Sequence, residues 1–140
     1  MRLCIKHIRF LLTIIVIFIS TIKAQHLSLT NFSNEDILPQ NTVYTILQDQ
    51  KGFMWFGTED GICRFDGTNS IIFGAKDGLK SSFIYQLYQD KKGRIWAGTK
   101  DGLHYFNGKS FTFYPIKNAK NGFLYFTEDI KGNLYVFNET

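Results

Sequence analysis

A repeat of 41 residues limits what this chain can fold into more than any other feature. The stretch from Gln48 to Gly61 returns as Gln89 to Gly102, and Trp55/Trp96, Gly52/Gly93, Gly57/Gly98, Asp60/Asp101, Phe65/Phe106 and Gly67/Gly108 all share the 41-residue offset. Self-similarity at roughly 20 to 50 residues marks solenoids, propellers or arrays, and about 40 to 45 with several short strands per unit is the propeller range. Glycines and aspartates cut each unit into four apolar runs. In the first unit the spacing predicts strands over 43–48, 53–58, 62–65 and 69–73, and in the second over 84–89, 94–99, 103–106 and 110–114. Asp66-Gly67 and Asn107-Gly108 read as two-residue hairpin turns, because such pairs tolerate positive φ. Phe53 to Phe56 is apolar on both faces of a period-two strand, as expected for a small sheet covered on either side by the next copy, whereas Ser110 to Phe113 alternates like an outer strand with one face wet.

The expected fold class is therefore all-β: a partial β-propeller with two complete four-stranded antiparallel blades, an incomplete third and a leading, ring-closing strand. Phe32, Asp36 and Leu38 align with Phe73, Asp77 and Leu79 at the same 41-residue offset, which makes 25–42 a leading outer strand and connection. Blade 1 is expected over 43–83, blade 2 over 84–122, and 123–140 as the start of blade 3. There the offset shrinks to 39, with Tyr135 in the tryptophan position. Since a ring closes with about four to eight blades, the chain is expected to be a fragment of a ring.

Residues 1–24 read as a signal peptide: Arg2, Lys6 and Arg9 precede an apolar run from Phe10 to Ile22, and Ala24 is small enough for cleavage before Gln25. The competing membrane anchor needs roughly 18 or more apolar residues. Export to the periplasm or cell surface follows. Of the 16 basic residues, four (Arg2, Lys6, Arg9, Lys23) lie in this segment with no acid, so the remainder balances 12 against 12. The basic character belongs to the leader, which removes the electrostatic ground for a nucleic-acid partner.

Chemistry-bearing constellations are sparse. After the leader only His26, His104 and Cys63 remain as soft ligands, with no zinc spacing, no phosphate loop and no calcium loop, so no metal and no cofactor are expected. Asp49, Asp60, Asp90 and Asp101 recur with the repeat, and acids repeated before glycine are explained by Asp side chains bonding their own turn backbone, not by a catalytic pair. Trp55, Trp96 and Tyr135 are expected as blade-to-blade core. Hairpin geometry puts the turn between the second and third strands and the connection between blades on one rim. That rim carries Asn41, Glu59, Asp60, Ser82, Lys100 and Asp101 as the candidate ligand contacts, and the copies differ there at Glu59 against Lys100 and at Asn41 against Ser82.

The pattern Gln48-Asp49-x-x-Gly52-Phe53-Met54-Trp55-Phe56-Gly57-Thr58-x-Asp60-Gly61-x-x-Arg64-Phe65-Asp66-Gly67 resembles the two-component regulator propeller repeat. In that family the repeat builds the extracytoplasmic sensor of hybrid histidine kinases. The resemblance implies a ligand-binding sensor piece, often for glycan fragments, whose partners in a full-length relative are further blades and a membrane-anchored kinase; a dimer is compatible with it. No kinase residue transfers onto this chain, so it is not expected to be an enzyme. An exported lyase-like propeller enzyme and a structural or adhesion propeller are the alternatives.

Overall fold

The computed structural model describes residues 37–116 and 124–138, all of them within one compact unit, 32–140. The expected signal peptide and the expected ring-closing strand near 26–32 lie outside the described residues. Among the described residues ten strands form three antiparallel sheets. The first sheet orders β1 (Val43–Gln48), β2 (Met54–Thr58), β3 (Gly61–Phe65) and β4 (Ser70–Phe73) consecutively. The second repeats it with β5 (Ile84–Gln89), β6 (Ile95–Thr99), β7 (Gly102–Phe106) and β8 (Phe111–Tyr114), and β9 (Leu124–Glu128) pairs with β10 (Leu134–Asn138) in the third. These are two propeller blades and part of another.

The turns are built by side chains that occupy their own backbone. Asp49 Oδ1 accepts from the N–H groups of Lys51 (2.9 Å) and Phe53 (3.0 Å), and Asp90 does the same for Lys92 (3.0 Å) and Arg94 (2.9 Å). The positive φ of Gly52 (89°) and Gly93 (80°) completes each turn, a conformation that glycine adopts without a Cβ penalty. At the next turn the mechanism changes. There Thr58 Oγ1 donates to the Gly61 carbonyl (2.9 Å) and accepts from Asp60 N–H (3.0 Å), with Thr99 repeating both bonds in the second blade. The threonine, not the aspartate, closes this turn, which corrects the reading of Asp60 and Asp101 as turn acids.

The third turn is also longer than the Asp-Gly signal suggests. Phe65 pairs with Ser70, so 66–69 form a four-residue loop closed by Asp66 N–H on the Asn69 carbonyl (3.1 Å). Asp66 Oδ1 accepts from both Thr68 and Asn69 N–H, and this bonding of the downstream backbone extends the loop beyond the two-residue turn expected for Asp66-Gly67. Asn107 builds the equivalent loop through Lys109 and Ser110.

Blades are joined by apolar seams. Trp55, 1% exposed, packs with Ile62 and Phe73 of its own blade against Ile84, Leu87, Ala97 and Phe111 of the next. Its ring meets Phe106 edge-on with centroids 5.2 Å apart. Trp96, 4% exposed, repeats this with Leu124 and Phe126. Gly57 and Gly98 let the inner strand of the following blade approach: a Cβ at Gly57 would lie 2.7 Å from Ile84 Cγ2, and one at Gly98 would lie 2.9 Å from the Leu124 carbonyl oxygen.

Side-chain to backbone bonds latch the same seams. Gln50 N–H donates to Gln89 Oε1 (2.8 Å) and Lys91 N–H to Glu128 Oε2 (2.9 Å), while Leu87 N–H donates to Thr45 Oγ1 (3.2 Å) and Phe126 N–H to Gln86 Oε1 (3.0 Å).

Tyr135 is a correction. It holds the tryptophan position and its hydroxyl keeps the bond to the turn acid, Asp129 Oδ2 (3.3 Å), but the residue is 53% exposed. It lies with Tyr125 and Phe137 on the face of β9–β10 directed away from the second blade, and no described residue forms a layer over that face.

Candidate functional site

One rim of the blades collects the start of each inner strand, the turn between the second and third strands, and the connection between blades. Val43 pairs with Thr58 and Ile84 with Thr99, which brings Asn41 beside Glu59-Asp60 and Ser82 beside Lys100-Asp101. All six residues are solvent-exposed. The two copies also meet there, because Gly61 N–H donates to the Ser82 carbonyl (2.8 Å). Glu59, Asp60 and Ser82 therefore share one seam, while Lys100 and Asp101 sit one blade further along.

The residues missed from the sequence are aromatic. β1 and β5 each carry a register shift, between Val43 and Thr45 and between Ile84 and Gln86, so that Tyr44 and Tyr85 are the extra residues of two equivalent β-bulges. A bulge leaves one residue out of the ladder and re-aims its side chain, and bulges concentrate beside functional sites. Phe83 fills the space between the two tyrosines: its ring centroid is 4.8 Å from that of Tyr44 and 4.6 Å from that of Tyr85. The result is a three-ring rail across the first seam, with Tyr44 itself 45% exposed. Tyr44 and Tyr85 stand 41 positions apart, and this recurrence of a tyrosine after a β-branched residue was the available signal.

Glu59 turns the rail into a mixed site. The Tyr44 hydroxyl donates to Glu59 Oε1, and that hydrogen bond to a carboxylate holds the phenol pKa above its ordinary value. Glu59 thus lies against the first ring of the rail, and Ser82, solvent-exposed, immediately precedes Phe83 in the chain. Such a surface presents flat apolar area for the faces of a ring compound and oxygen acceptors for its hydroxyls, the combination by which sites fix polar, ring-shaped ligands.

Catalytic geometry is a poor match to the acids that recur. Both carboxylate oxygens of Asp49 are engaged, one by the turn N–H groups and the other by Trp55 Nε1 (2.8 Å). Asp90 likewise holds Trp96 Nε1 (2.9 Å) and the Arg94 guanidinium (2.6 Å). Burial of Asp90 pushes its pKa up, but the bonds from Trp96 and Arg94 outweigh this and leave it below the usual carboxylate value. Asp90 is thus a fixed anion that orients the core indole. Cys63 is buried, its Sγ donates to the Ile37 carbonyl (3.0 Å), and burial pushes the thiol pKa up to about 11, which makes it a packing residue. Among the described residues no group of three or more His, Cys, Asp or Glu side chains comes together to hold a metal ion, and no helix is long and apolar enough to cross a membrane.

Two segments, 37–60 and 78–101, match the two-component regulator propeller family. No curated protein matches the chain. Among solved structures it is similar to the extracellular domain described as part of the hybrid two component system BT3049 from B. thetaiotaomicron, with 26% identity and a TM-score of 0.63 over 76% of this chain and 17% of that one. A second, the extracellular domain of BT4673 from the same organism, described as a one component system, matches with 24% identity and a TM-score of 0.66 over 82% of this chain and 18% of that one. Another structure of that domain, described there as part of a hybrid two component system, matches with 26% identity and a TM-score of 0.60 over 70% of this chain and 15% of that one. The chain spans less than one fifth of the length of the structures it matches.

Proposed function

We propose that this chain, a carrier of the two-component regulator propeller repeat, is part of an exported sensor that binds a polysaccharide-derived ligand and does no chemistry on it. The observation that carries the reading is the bulge pair Tyr44 and Tyr85 with Phe83 between them, flanked by Glu59 and Ser82. Rings stacked across the seam between two blades offer a platform for sugar faces, and the flanking oxygens accept from sugar hydroxyls. In a longer protein of the kind described for its structural neighbours, occupancy of this rim is relayed to a kinase across the membrane. Support for export comes from those neighbours, which are extracellular domains, and from the basic-apolar-small pattern of residues 1–24.

The test is a calorimetric titration of the full-length chain with a panel of neutral oligosaccharides, followed by chromatography of the mixture. The expected result is heat of binding to at least one of them with the sugar recovered intact, and loss of that heat in Tyr85→Ala and Glu59→Gln. Recovery of a cleaved or unsaturated sugar identifies an enzyme and overturns the proposal. Binding that survives both substitutions removes the rim from it.

A further inference from the structure

On the opposite rim, where the first-to-second and third-to-fourth strand turns gather, a cleft of about 210 Å³ opens between the first two blades. Among the described residues four cations border it, Lys51, Arg64, Lys92 and Arg94, against one acid, Asp49. The acid is already spent on two turn N–H groups and the Trp55 indole, and Arg94 is paired with Asp90 at 2.6 Å. Arg64 is different. Its guanidinium carbon sits 4.8 Å from the Phe53 ring centroid, 5.6 Å from that of Trp55 and 5.9 Å from that of Phe106, and it makes no hydrogen bond or ion pair among the described residues.

A guanidinium carries five N–H donors in its plane and no acceptor. Four ring centroids lie within 5.9 Å of the Arg64 guanidinium carbon and offer its donors no oxygen, whereas the cleft that Arg64 lines is open to one. Desolvating such a group without a partner is costly, more so than for a neutral donor. The same position in the next blade confirms that the cation is not a packing requirement of the repeat: Tyr105 stands where Arg64 does, and the guanidinium over Trp96 comes instead from Arg94, 4.9 Å from the ring, already held by Asp90. The corresponding cavity at the second seam, about 510 Å³, is walled by Leu103, Ile116, Leu134 and Val136, and among the described residues Arg94 is the one cation that lines it. The first seam alone, among the described residues, pairs an unneutralised guanidinium with two exposed lysines.

We propose that this cleft is a binding site for an oxyanion, a carboxylate or a phosphate group, received on the edge of Arg64 with Lys51 and Lys92 at its mouth. Bidentate recognition of planar or tetrahedral oxyanions is what a preorganised guanidinium does best. The volume is below the roughly 300 to 1,000 Å³ of a site that engulfs a whole ligand, so the cleft takes the charged group while the body of the ligand stays outside. The site is independent of the tyrosine rail, being on the other rim, and its failure leaves the sugar reading untouched.

The experiment titrates the full-length chain with sodium benzoate, neutral benzamide and inorganic phosphate at constant ionic strength, following tryptophan fluorescence, since Trp55 lines the cleft. A saturable change with benzoate or phosphate and none with benzamide is expected; benzoate alone assigns a carboxylate, phosphate alone a phosphate. Affinity should fall about tenfold or more in Arg64→Gln and in Arg64→Lys, which keeps the charge but loses the fork. It should be unchanged in Lys80→Gln, whose ammonium lies over Phe113 in the second blade. Should Arg64→Gln fail to fold, the paired surface variant Lys51→Gln/Lys92→Gln is expected to weaken binding several-fold. An equal response to benzamide, no saturable response to either anion, or anion binding undiminished in these variants overturns the proposal.

Discussion

Gly57→Ala tests the packing of the seam at its narrowest point. The new Cβ would meet Thr45 Cγ2 at 2.5 Å and Ile84 Cγ2 at 2.7 Å, distances at which something must move. Neither neighbour moves cheaply. Both are β-branched and stiff at χ1, Ile84 is fully buried, and Thr45 Oγ1 accepts the inter-blade bond from Leu87 N–H. Overpacking of this kind costs about 1–3 kcal/mol, and losing the Thr45 bond adds about 1 kcal/mol. Alanine returns about 0.4–1 kcal/mol by restricting the unfolded chain. The net expectation is a destabilisation of about 2 kcal/mol, read as a shift of the urea midpoint of the full-length chain at unchanged m-value. Thr45→Ser removes the methyl at 2.5 Å but keeps the hydroxyl, so Gly57→Ala in that background should be milder by at least about 0.5 kcal/mol, the coupling expected of residues in contact. A single mutant as stable as the parent, or strict additivity with Thr45→Ser, would refute the argument that the glycine exists to admit the next blade.

Trp96→Ala should destabilise by about 3–5 kcal/mol in chemical denaturation, since it empties the second seam and strips Asp90 of its indole partner. Lys100→Ala, at an exposed turn, should stay within about 0.5 kcal/mol of the parent in the same assay. His104 is buried and accepts from Lys80 N–H at 3.1 Å; burial, with the Lys80 charge adding to it, lowers its pKa below the ordinary 6.5. The folded state therefore prefers the neutral ring while the unfolded chain protonates near 6.5, so its contribution is complete above that pH and is lost as pH falls below it. The melting temperature should drop between pH 7 and pH 5, and His104→Gln should flatten that drop; an equal slope in the variant would remove His104 as its cause.

The strands were readable because each is short, apolar and bracketed by Gly or Asp, and the repeat allows every boundary to be checked against a second copy. Trp55 and Trp96 were readable as packing residues for the same reason, occurring once per unit in a run apolar on both faces. The bulges were not readable. A bulge is a mismatch between two strands, and neither Val43 to Gln48 nor its partner shows it alone, so Tyr44 and Tyr85 passed as ordinary strand residues. The division of labour between turns was hidden too, because Asp60 and Thr58 both suit a turn and only the geometry shows that the threonine hydroxyl spans it. Arg64 fell within the third strand, 62–65, and was assigned no role of its own; its isolation depends on Asp49 being occupied by groups two, four and six residues away.

The paired bulges also bear on how such a rim could diversify. Because a side chain's face is set by its parity along a strand, replacing an ordinary ladder residue normally trades surface chemistry against the core beneath it. The extra residue in β1 and in β5 escapes that bookkeeping: Val43 and Ile84 keep their ladder partners on one side, Thr45 and Gln86 keep theirs on the other, and Tyr44 and Tyr85 belong to neither. The two four-stranded blades thus each carry one position at the rim whose identity can drift without disturbing the parity of its neighbours. In an array of such blades the rim becomes a row of separately adjustable letters on a fixed page, so that copies of one repeat can come to present different side-chain chemistry while folding identically.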